Sequence, residues 1–167
     1  MSKIQKIGLS FFIFFFCTGF DRFTKNYAQK YLSGSIPISM SNDFFRIQYS
    51  ENSGAMLGLG ANLPNQIRII LFVIFVGIIL ASIVMYAIKA HYLSSTQFVG
   101  LLVLASGGIG NFIDRLINNG AGIDFLNIGV GPLRTGIFNI ADIFIMSGTF
   151  IFIFSSLKKE ISTVENK

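Results

Sequence analysis

Charged residues are scarce in this sequence. Only 13% of its 167 residues are Asp, Glu, Lys or Arg, whereas soluble domains average about 25%. Trp is absent, and 52% of the residues are hydrophobic. This composition argues against a cytosolic globular enzyme and against a disordered chain, and it indicates an integral membrane protein. The length leaves room for one domain. We interpret the net charge of +5 as contact with anionic lipid headgroups rather than with nucleic acid.

Cysteine and histidine each occur once. A single Cys cannot form a disulfide within the chain. A tetrahedral zinc site needs three or four nitrogen, sulfur or carboxylate ligands, and the sequence has no His-containing cluster of that kind. Cys17 follows three Phe residues, and His91 lies in a short polar connector. We therefore predict a buried thiol and a loop imidazole, with no metal and no cofactor.

Four apolar stretches are long enough to cross a bilayer, which takes about 20 residues. We predict transmembrane helices near residues 4–24, 67–88, 96–115 and 137–157. The first stretch also resembles a cleaved signal peptide, because Lys3 and Lys6 precede it. However, bulky Phe residues fill its C-terminal half and no small-x-small cleavage site follows. These features favour a retained helix.

The orientation follows from the distribution of Lys and Arg between the two sides. Four helices place both termini on one side, and the number of basic residues on each side is nearly equal. The basic residues on the side of the termini are almost unopposed by acids, whereas those on the far side are interleaved with Asp and Glu. We therefore expect cytoplasmic termini, with a functional site at the opposite membrane face.

The two far-side connectors have unusual compositions. Residues 32–60 alternate aromatic and β-branched residues with polar ones, which predicts short strands in a small sheet on the membrane surface. Residues 118–136 are rich in Gly and contain an amphipathic stretch at 124–126. The fold class expected from these patterns is an all-α polytopic membrane protein with a small surface sheet and an amphipathic segment on the outer face.

Polar residues concentrate near one membrane face, where ionisable groups are costly and by default indicate a functional site. Asp21 and Lys25 are four residues apart and share a helix face. An ion pair at a helix end, with the Lys reaching the headgroups, explains these two equally well. Asn111, Asp114 and Arg115 follow three glycines and can face one side of a helix end. Packing glycines and a terminal ion pair account for Asp114 and Arg115 but not for an Asn at membrane depth.

Two further acids complete the candidate site. Asn139 and Asp142 are three residues apart on the last helix, where no cation is available as a structural partner for Asp142. Asp124 lies in a segment that returns to the membrane. Two carboxylates brought together, one ionised and one protonated, can activate water and protonate a leaving amine. Asp114 is the alternative partner in such a pair.

Other chemistries fit less well. Ser106 lacks a His or Lys at membrane depth that could act as its base, and neither a Walker A motif nor a Rossmann fingerprint occurs. Presenilin-type and prepilin-type proteases need Gly-x-Gly-Asp. In the sequence GAGID at 120–124 the Asp comes one residue too late for this motif. The rival function is a small transporter or channel subunit that uses the same acids as a polar path. Conduction requires polar residues through the full depth, whereas residues 69–88 offer only Ser82.

An ordered set of motifs resembles that of lipoprotein signal peptidase, also called signal peptidase II. The motifs are DRFTK at 21–25, NSGA at 52–55, GGIGNFIDR at 107–115, IDF at 123–125 and FNIAD at 138–142. The resemblance implies a bacterial inner-membrane aspartyl endopeptidase that cuts prolipoproteins just before a diacylglyceryl-modified Cys. It also implies a single peptidase domain over residues 1–167, with a β-cradle near 32–60 on the periplasmic face, in contact with membrane lipid and without nucleic acid or metal.

The resemblance also implies roles for particular residues. Asp124 and Asp142 correspond to the catalytic pair of that family. The residues that fall on its substrate-binding and supporting positions are Asp21, Lys25, Asn52, Gly54, Asn111, Asp114, Arg115, Asn139 and Ala141. The sequence departs from the family pattern at Met56 and Leu57, at Gly122 and Ile123, and at Ile143. We expect these departures to affect the fit of the substrate rather than the chemistry.

Overall fold

The computed structural model describes residues 2–54 and 59–165. Met56 and Leu57, two of the predicted departures, lie outside the described residues. Within these ranges, four helices are long and apolar enough to cross a membrane: Ile4–Leu32, Asn65–Lys89, Ser95–Ile117 and Ile140–Lys159. Helices are therefore present at all four predicted positions. Together with a small antiparallel sheet they form the fold.

The helix bounds explain how the site is placed. Helix α1 is Lys3–Leu32, and it continues past the predicted end near residue 24. Its last turns leave the apolar span and pack Ala28 and Leu32 against Phe125 of the sheet. The second span consists of α2 (Asn65–Ile69), a π-helical segment (Ile70–Phe75) and α3 (Val76–Lys89). The last two spans are α4 (Ser95–Ile117) and α5 (Ile140–Glu165).

Helix α4 is the central helix of the bundle. Its buried residues Phe98, Leu101 and Leu102 form one apolar cluster with Ile13 and Cys17 of α1. Cys17 is a free, buried cysteine, as predicted. Helix α4 begins with a capping box in which Ser94 and Gln97 each bond the other's backbone N–H, so its first turn has satisfied donors.

Glycines allow α4 and α5 to pack almost backbone to backbone. A Cβ atom at Gly107 would lie 2.5 Å from the carbonyl oxygen of Ala141. A Cβ atom at Gly148 would lie 2.4 Å from the backbone nitrogen of Leu104 and 2.6 Å from the carbonyl oxygen of Gly100. These distances are too short for any side chain, and small residues commonly permit such contacts between membrane helices. The contact fixes the start of α5 beside the end of α4.

We expect Gly148→Val to lower the free energy of unfolding by about 1–3 kcal/mol or more, because backbone atoms cannot move aside as a flexible side chain would. Unfolding in mixed micelles, followed by circular dichroism, measures this loss. Gly19→Val is the matched control, because a Cβ atom at Gly19 in α1 would have no atom within 4 Å. An equal effect of the two substitutions would contradict the role given to close α4–α5 packing.

The sheet joins the two far-side connectors. Its strands are β1 (Ile38–Met40), β2 (Phe45–Asn52), β3 (Gly122–Val130) and β4 (Leu133–Arg134). They lie in the order β1-β2-β3-β4, and each pair is antiparallel. The predicted strands in residues 32–60 are present. The predicted amphipathic stretch at 124–126 is instead the middle of β3, so the all-α description is not confirmed.

The strand β3 is buried because it lies between β2 and the helices. Six of its first eight residues are buried, and Ile123 and Phe125 are 1% and 7% exposed. Near its middle, Leu126 forms an isolated bridge with Phe138. The bridge brings the chain to the first residue of the FNIAD motif, directly before α5. Asp124 and Asp142 are thereby placed at the same end of the bundle.

Candidate active site

The predicted polar residues meet where the end of α4, the start of α5, the C-terminal half of α1 and the strands β2 and β3 come together. Several of them are almost inaccessible: Asp21, Lys25 and Asp114 are each 0% exposed, and Asn139 is 1% exposed. Charges that are buried to this degree require partners. The contacts described below provide them.

Lys25 is the centre of a buried ion-pair network. Its Nζ lies 2.8 Å from Oδ2 of Asp21 and 2.6 Å from Oδ2 of Asp114. Arg22 pairs with the other oxygen of Asp114. Asp21 also accepts a hydrogen bond of 2.9 Å from the backbone N–H of Ala141. The network therefore ties α1 to the end of α4 and to the start of α5.

Close approach of the helices makes the Asp21 contact possible. A Cβ atom at Gly110 would lie 2.5 Å from Oδ2 of Asp21 and 3.4 Å from Cβ of Ala141. Ala141 is itself 0% exposed. The motif positions Asp21 and Ala141 thus belong to the packing between α1, α4 and α5.

Two asparagines connect this network to the remaining acids. Lys25 donates to Oδ1 of Asn111 at 2.9 Å, and the same oxygen accepts from Nδ2 of Asn139 at 3.0 Å. Asn111 donates through Nδ2 to Oδ1 of Asp142 at 2.8 Å. Asn139 donates through Nδ2 to Oδ1 of Asp124 at 2.7 Å. The predicted importance of an Asn at membrane depth therefore has a structural basis, since Asn111 connects Lys25 with Asp142.

Asp142 has a structural partner at the start of α5, which is Asn139. The backbone N–H of Asn139 donates to Oδ2 of Asp142 at 3.0 Å, and Oδ1 of Asn139 accepts from the backbone N–H of Asp142 at 3.0 Å. These reciprocal bonds form a capping box at the start of α5. The inference that a structural acid at this position would need a cation is therefore wrong. The Asn-x-x-Asp spacing was the available signal for the capping box.

Asp124 is held between two amides near the start of β3. It is paired with Ser50 of β2, and it is 5% exposed. Its Oδ2 accepts from Nδ2 of Asn52 at 3.0 Å, while Asn139 donates to Oδ1. Burial raises the pKa of the Asp124 carboxyl to about 6, and the nearby charge of Asp142 also raises it. The hydrogen bonds from Asn52 and Asn139 act in the opposite direction.

Because of this raised pKa, the stability of the protein should depend on pH. The ordinary value for Asp is 3.8, so the folded protein binds the Asp124 proton more tightly than the unfolded chain does. The resulting stabilisation is fully present below about pH 4 and is lost as the pH rises through about 6. Asp124→Asn mimics the neutral carboxyl. We expect its melting temperature to exceed that of the unsubstituted protein by about 5 °C at neutral pH, and by much less near pH 4.

Asp43→Asn is the control for this measurement. Hydrogen bonds from Arg46 and Ser39 hold the pKa of Asp43 below its usual range, so the effect of this substitution on stability should be nearly constant between about pH 4 and pH 7. Melting curves in detergent across this pH range measure both variants. A constant difference between Asp124→Asn and the unsubstituted protein would contradict the raised pKa.

Asp124 and Asp142 both line a cavity of about 640 Å³. Its polar lining also includes Asn52, Asn111 and Arg115. Its other walls are mainly apolar and come from α2–α3, α4 and α5, with Phe72, Val76, Phe112, Ile143, Ile145 and Met146 among them. Ile143, a predicted departure from the family pattern, is therefore part of the cavity wall. Asp114 is instead enclosed by Lys25 and Arg22.

Arg115 closes one side of the cavity. Its Nη1 donates to the carbonyl oxygen of Asn111 at 3.1 Å, and its Nη2 donates to that of Gly54 at 2.9 Å. The Phe72 ring lies 5.6 Å from the guanidinium carbon. Gly122, another predicted departure, lies beside the guanidinium, where a Cβ atom would be 3.4 Å from Nη1. All eleven predicted site residues therefore lie in this one region.

Two arginines contribute to this region without having been predicted as site residues. Arg22 lies within the DRFTK motif and completes the charge balance of Asp114. Arg68 donates to the carbonyl oxygen of Ser53 at 3.4 Å and to Oδ1 of Asn65 at 3.0 Å. Arg22 could have been predicted from its place directly after Asp21 in the DRFTK motif. Arg68 could not, because its contact with Ser53 joins two elements that are distant in the sequence.

Comparison with known proteins identifies the family. Residues 13–158 match the family model described as signal peptidase (SPase) II. The chain belongs to the signal peptidase II family. The lipoprotein signal peptidase of Borrelia hermsii (strain HS1 / DAH) is 33% identical over 162 residues, which are 94% of each protein. That of Borreliella burgdorferi (strain ZS7) is 32% identical over 92% of each.

Solved structures agree with this membership. Two described as a bacterial membrane enzyme have a TM-score of 0.77 and are 29% identical to this chain. One alignment covers 92% of this chain and 90% of the other, and the second covers 91% and 94%. The resemblance inferred from the motifs is confirmed. This signal peptidase II family member is a peptidase and a multi-pass bacterial membrane protein.

Proposed function

We propose that the chain removes signal peptides from diacylglyceryl-modified prolipoproteins by cutting just before the lipidated Cys, with Asp124 and Asp142 as an aspartyl dyad. Family membership supports the peptidase activity and the prolipoprotein substrate. The observation that supports the dyad is that both carboxylates line one cavity and are linked through Asn139. We further propose that residues 1–167 act as one domain, without a metal or other cofactor.

The proposed reaction is a direct attack by water. A water molecule between Asp124 and Asp142 adds to the carbonyl carbon of the scissile peptide bond. One carboxylate takes a proton from this water, while the protonated carboxyl donates to the carbonyl oxygen. Collapse of the tetrahedral intermediate breaks the C–N bond, and a carboxyl proton is transferred to the leaving amine. The products are a signal peptide with a new carboxylate and a lipoprotein with a free α-amine on its first Cys.

The surroundings of the dyad support this chemistry. Asn52, Asn111 and Asn139 donate hydrogen bonds to the two carboxylates, so fixed dipoles replace mobile water around the charge. Electrostatic groups that are arranged before the reaction lower its barrier without further reorganisation. The apolar walls of the cavity suit the lipid chains of the substrate. Arg115, beside the dyad, is proposed to position the substrate backbone or headgroup.

The orientation belongs to the same proposal. The termini lie in the cytoplasm, and the sheet and dyad lie at the periplasmic face, where the substrate's lipidated Cys is presented. This arrangement agrees with the excess of unopposed Lys near the termini. The transporter alternative is not supported by the family comparison, which matches peptidases.

The test compares one prolipoprotein with and without its diacylglyceryl group. Purified enzyme in detergent should cleave the lipidated form, and mass spectrometry should place the new C-terminus immediately before the Cys. The unlipidated form should remain uncleaved under the same conditions. Equal cleavage of both forms would contradict the proposed substrate class. Solute flux in proteoliposomes without cleavage would favour the transporter instead.

A further inference from the structure

Two arginines hold consecutive carbonyl groups in the segment that follows β2. Arg115, from the end of α4, donates to the carbonyl oxygen of Gly54 at 2.9 Å. Arg68, from α2, donates to the carbonyl oxygen of Ser53 at 3.4 Å. The two guanidinium groups come from different membrane helices. The segment is therefore fixed to both.

The same segment places the side chain of Asn52. Oδ1 of Asn52 accepts from the backbone N–H of Gly54 at 3.0 Å, and Nδ2 of Asn52 donates to Oδ2 of Asp124 at 3.0 Å. An amide whose oxygen is held by the backbone two residues later has a fixed orientation. Displacement of Gly54 would therefore rotate or withdraw the N–H donor from Asp124.

Arg68 is itself held in place by its own helix. Its Nη2 donates to Oδ1 of Asn65 at 3.0 Å, one turn earlier in α2. The π-helical segment Ile70–Phe75 follows directly, and such segments often occur at functional sites. Within it, Phe72 stacks over Arg115. Helix α2 and its π-helical continuation thus support both arginines of the pair.

We propose that Arg68 is a positioning residue of the active site, which, together with Arg115, clamps the carbonyl groups of residues 53 and 54 and so holds the Asn52 amide against Asp124. This inference rests on the proposed function of Asp124 in the dyad. Arg68 does not touch the reacting atoms. It acts through Ser53 and Asn52.

The clamp has an effect that simple stabilisation would not have. The hydrogen bond from Asn52 lowers the pKa of Asp124 against the effect of burial. The charged groups that face Asp124 are Asp142 of α5, Lys25 of α1 and Arg115 of α4, and Arg68→Gln leaves all three in place. Loss of the clamp should therefore raise the pKa of Asp124. The limb of the pH–rate profile that reflects ionisation of Asp124 should move to higher pH.

The test uses Arg68→Gln in the full-length enzyme with lipidated prolipoprotein. We expect kcat to fall by about 10-fold to 100-fold, as small misplacements of catalytic groups do, with KM nearly unchanged and the Asp124 limb shifted to higher pH. Arg68→Lys keeps a donor near Ser53 and should recover part of kcat. Arg46→Gln, which removes a cation paired with Asp43 on the sheet, is the control and should keep the rate and profile of the unsubstituted enzyme.

A double substitution tests whether Arg68 acts through Asn52. If it does, Arg68→Gln added to Asn52→Ala should cause little further loss of kcat, because the amide that the clamp holds is already absent. If instead the fold-losses in kcat of the two single substitutions multiply in the double variant, the proposal is wrong. It would also be overturned if Arg68→Gln lowered the melting temperature while kcat and the pH profile stayed unchanged.

A readout without substrate separates this proposal from the proposed function. The carboxyl stretch of Asp124 can be titrated by infrared spectroscopy and assigned by its loss in Asp124→Asn. The clamp predicts a higher pKa of Asp124 in Arg68→Gln even if the unsubstituted protein cleaves no prolipoprotein. Those two results together would contradict the proposed function and would still support the clamp. An unchanged pKa of Asp124 would overturn the clamp while leaving the peptidase assignment intact.

Discussion

Asp142→Asn and Asp124→Asn are each expected to reduce cleavage of a lipidated prolipoprotein by about 10²-fold to 10⁴-fold, the usual contribution of a positioned acid or base. An amide at either position keeps the size of the side chain and one acceptor oxygen. At position 142 that oxygen can still accept the Asn139 N–H of the capping box. The variants should therefore fold normally, whereas proton transfer by the substituted residue should be lost. Initial rates with purified variants in detergent measure the loss.

The comparison with Asp114→Asn decides which acids react. Asp114 is 0% exposed and lies between Arg22 and Lys25, so its substitution should mainly lower stability. At a temperature where all variants remain folded, Asp114→Asn should retain far more activity than Asp124→Asn. The reverse order would make Asp114 the true partner of Asp142.

Lys25→Met should cause the largest loss of stability among single substitutions in the ion-pair network. It leaves Asp21 and Asp114 facing each other without the cation between them, and neither carboxylate is accessible to solvent. Removing one partner of a buried ion pair typically costs about 3–5 kcal/mol, because a charge remains buried without compensation. Unfolding in mixed micelles measures the free energy.

Two further variants identify the cause of this loss. Lys30→Met lies on the same helix but at an exposed position, and it should change stability little. Asp114 still pairs with Arg22 in Lys25→Met, so Asp21 is the carboxylate left without a cation. Adding Asp21→Asn removes that charge and should recover part of the free energy. Lack of any recovery would indicate that lost packing of the Lys25 stem, rather than charge, explains the effect.

Much of this site could be predicted because the spacing of polar residues on apolar helices is informative. A carboxylate such as Asp142 stands out in a span with no other charge. The motifs that contain Asn111 and Asn139 indicated the family, and the structure brings the side chains of these two residues together. Strands in residues 32–60 were predicted for a similar reason, since their alternating pattern is local.

Features that depend on tertiary contacts could not be predicted in the same way. The stretch around Phe125 is too rich in Gly to indicate a strand, and it forms one because β2 and the end of α1 cover it. The same packing against Phe125 extends α1 to Leu32. The contact of Arg68 with Ser53 depends on how the chain returns to the membrane, for which the sequence pattern carries no signal.

The most direct test of the central claim is single-turnover cleavage in H₂¹⁸O with hydroxylamine present, followed by mass spectrometry of the released signal peptide. Direct attack by water held between Asp124 and Asp142 predicts one ¹⁸O atom in the new carboxylate, no hydroxamate, and product formation slowed by about 10²-fold to 10⁴-fold in either Asn variant. A hydroxamate would reveal a covalent acyl-enzyme formed by another side chain, and that result would contradict the aspartyl dyad.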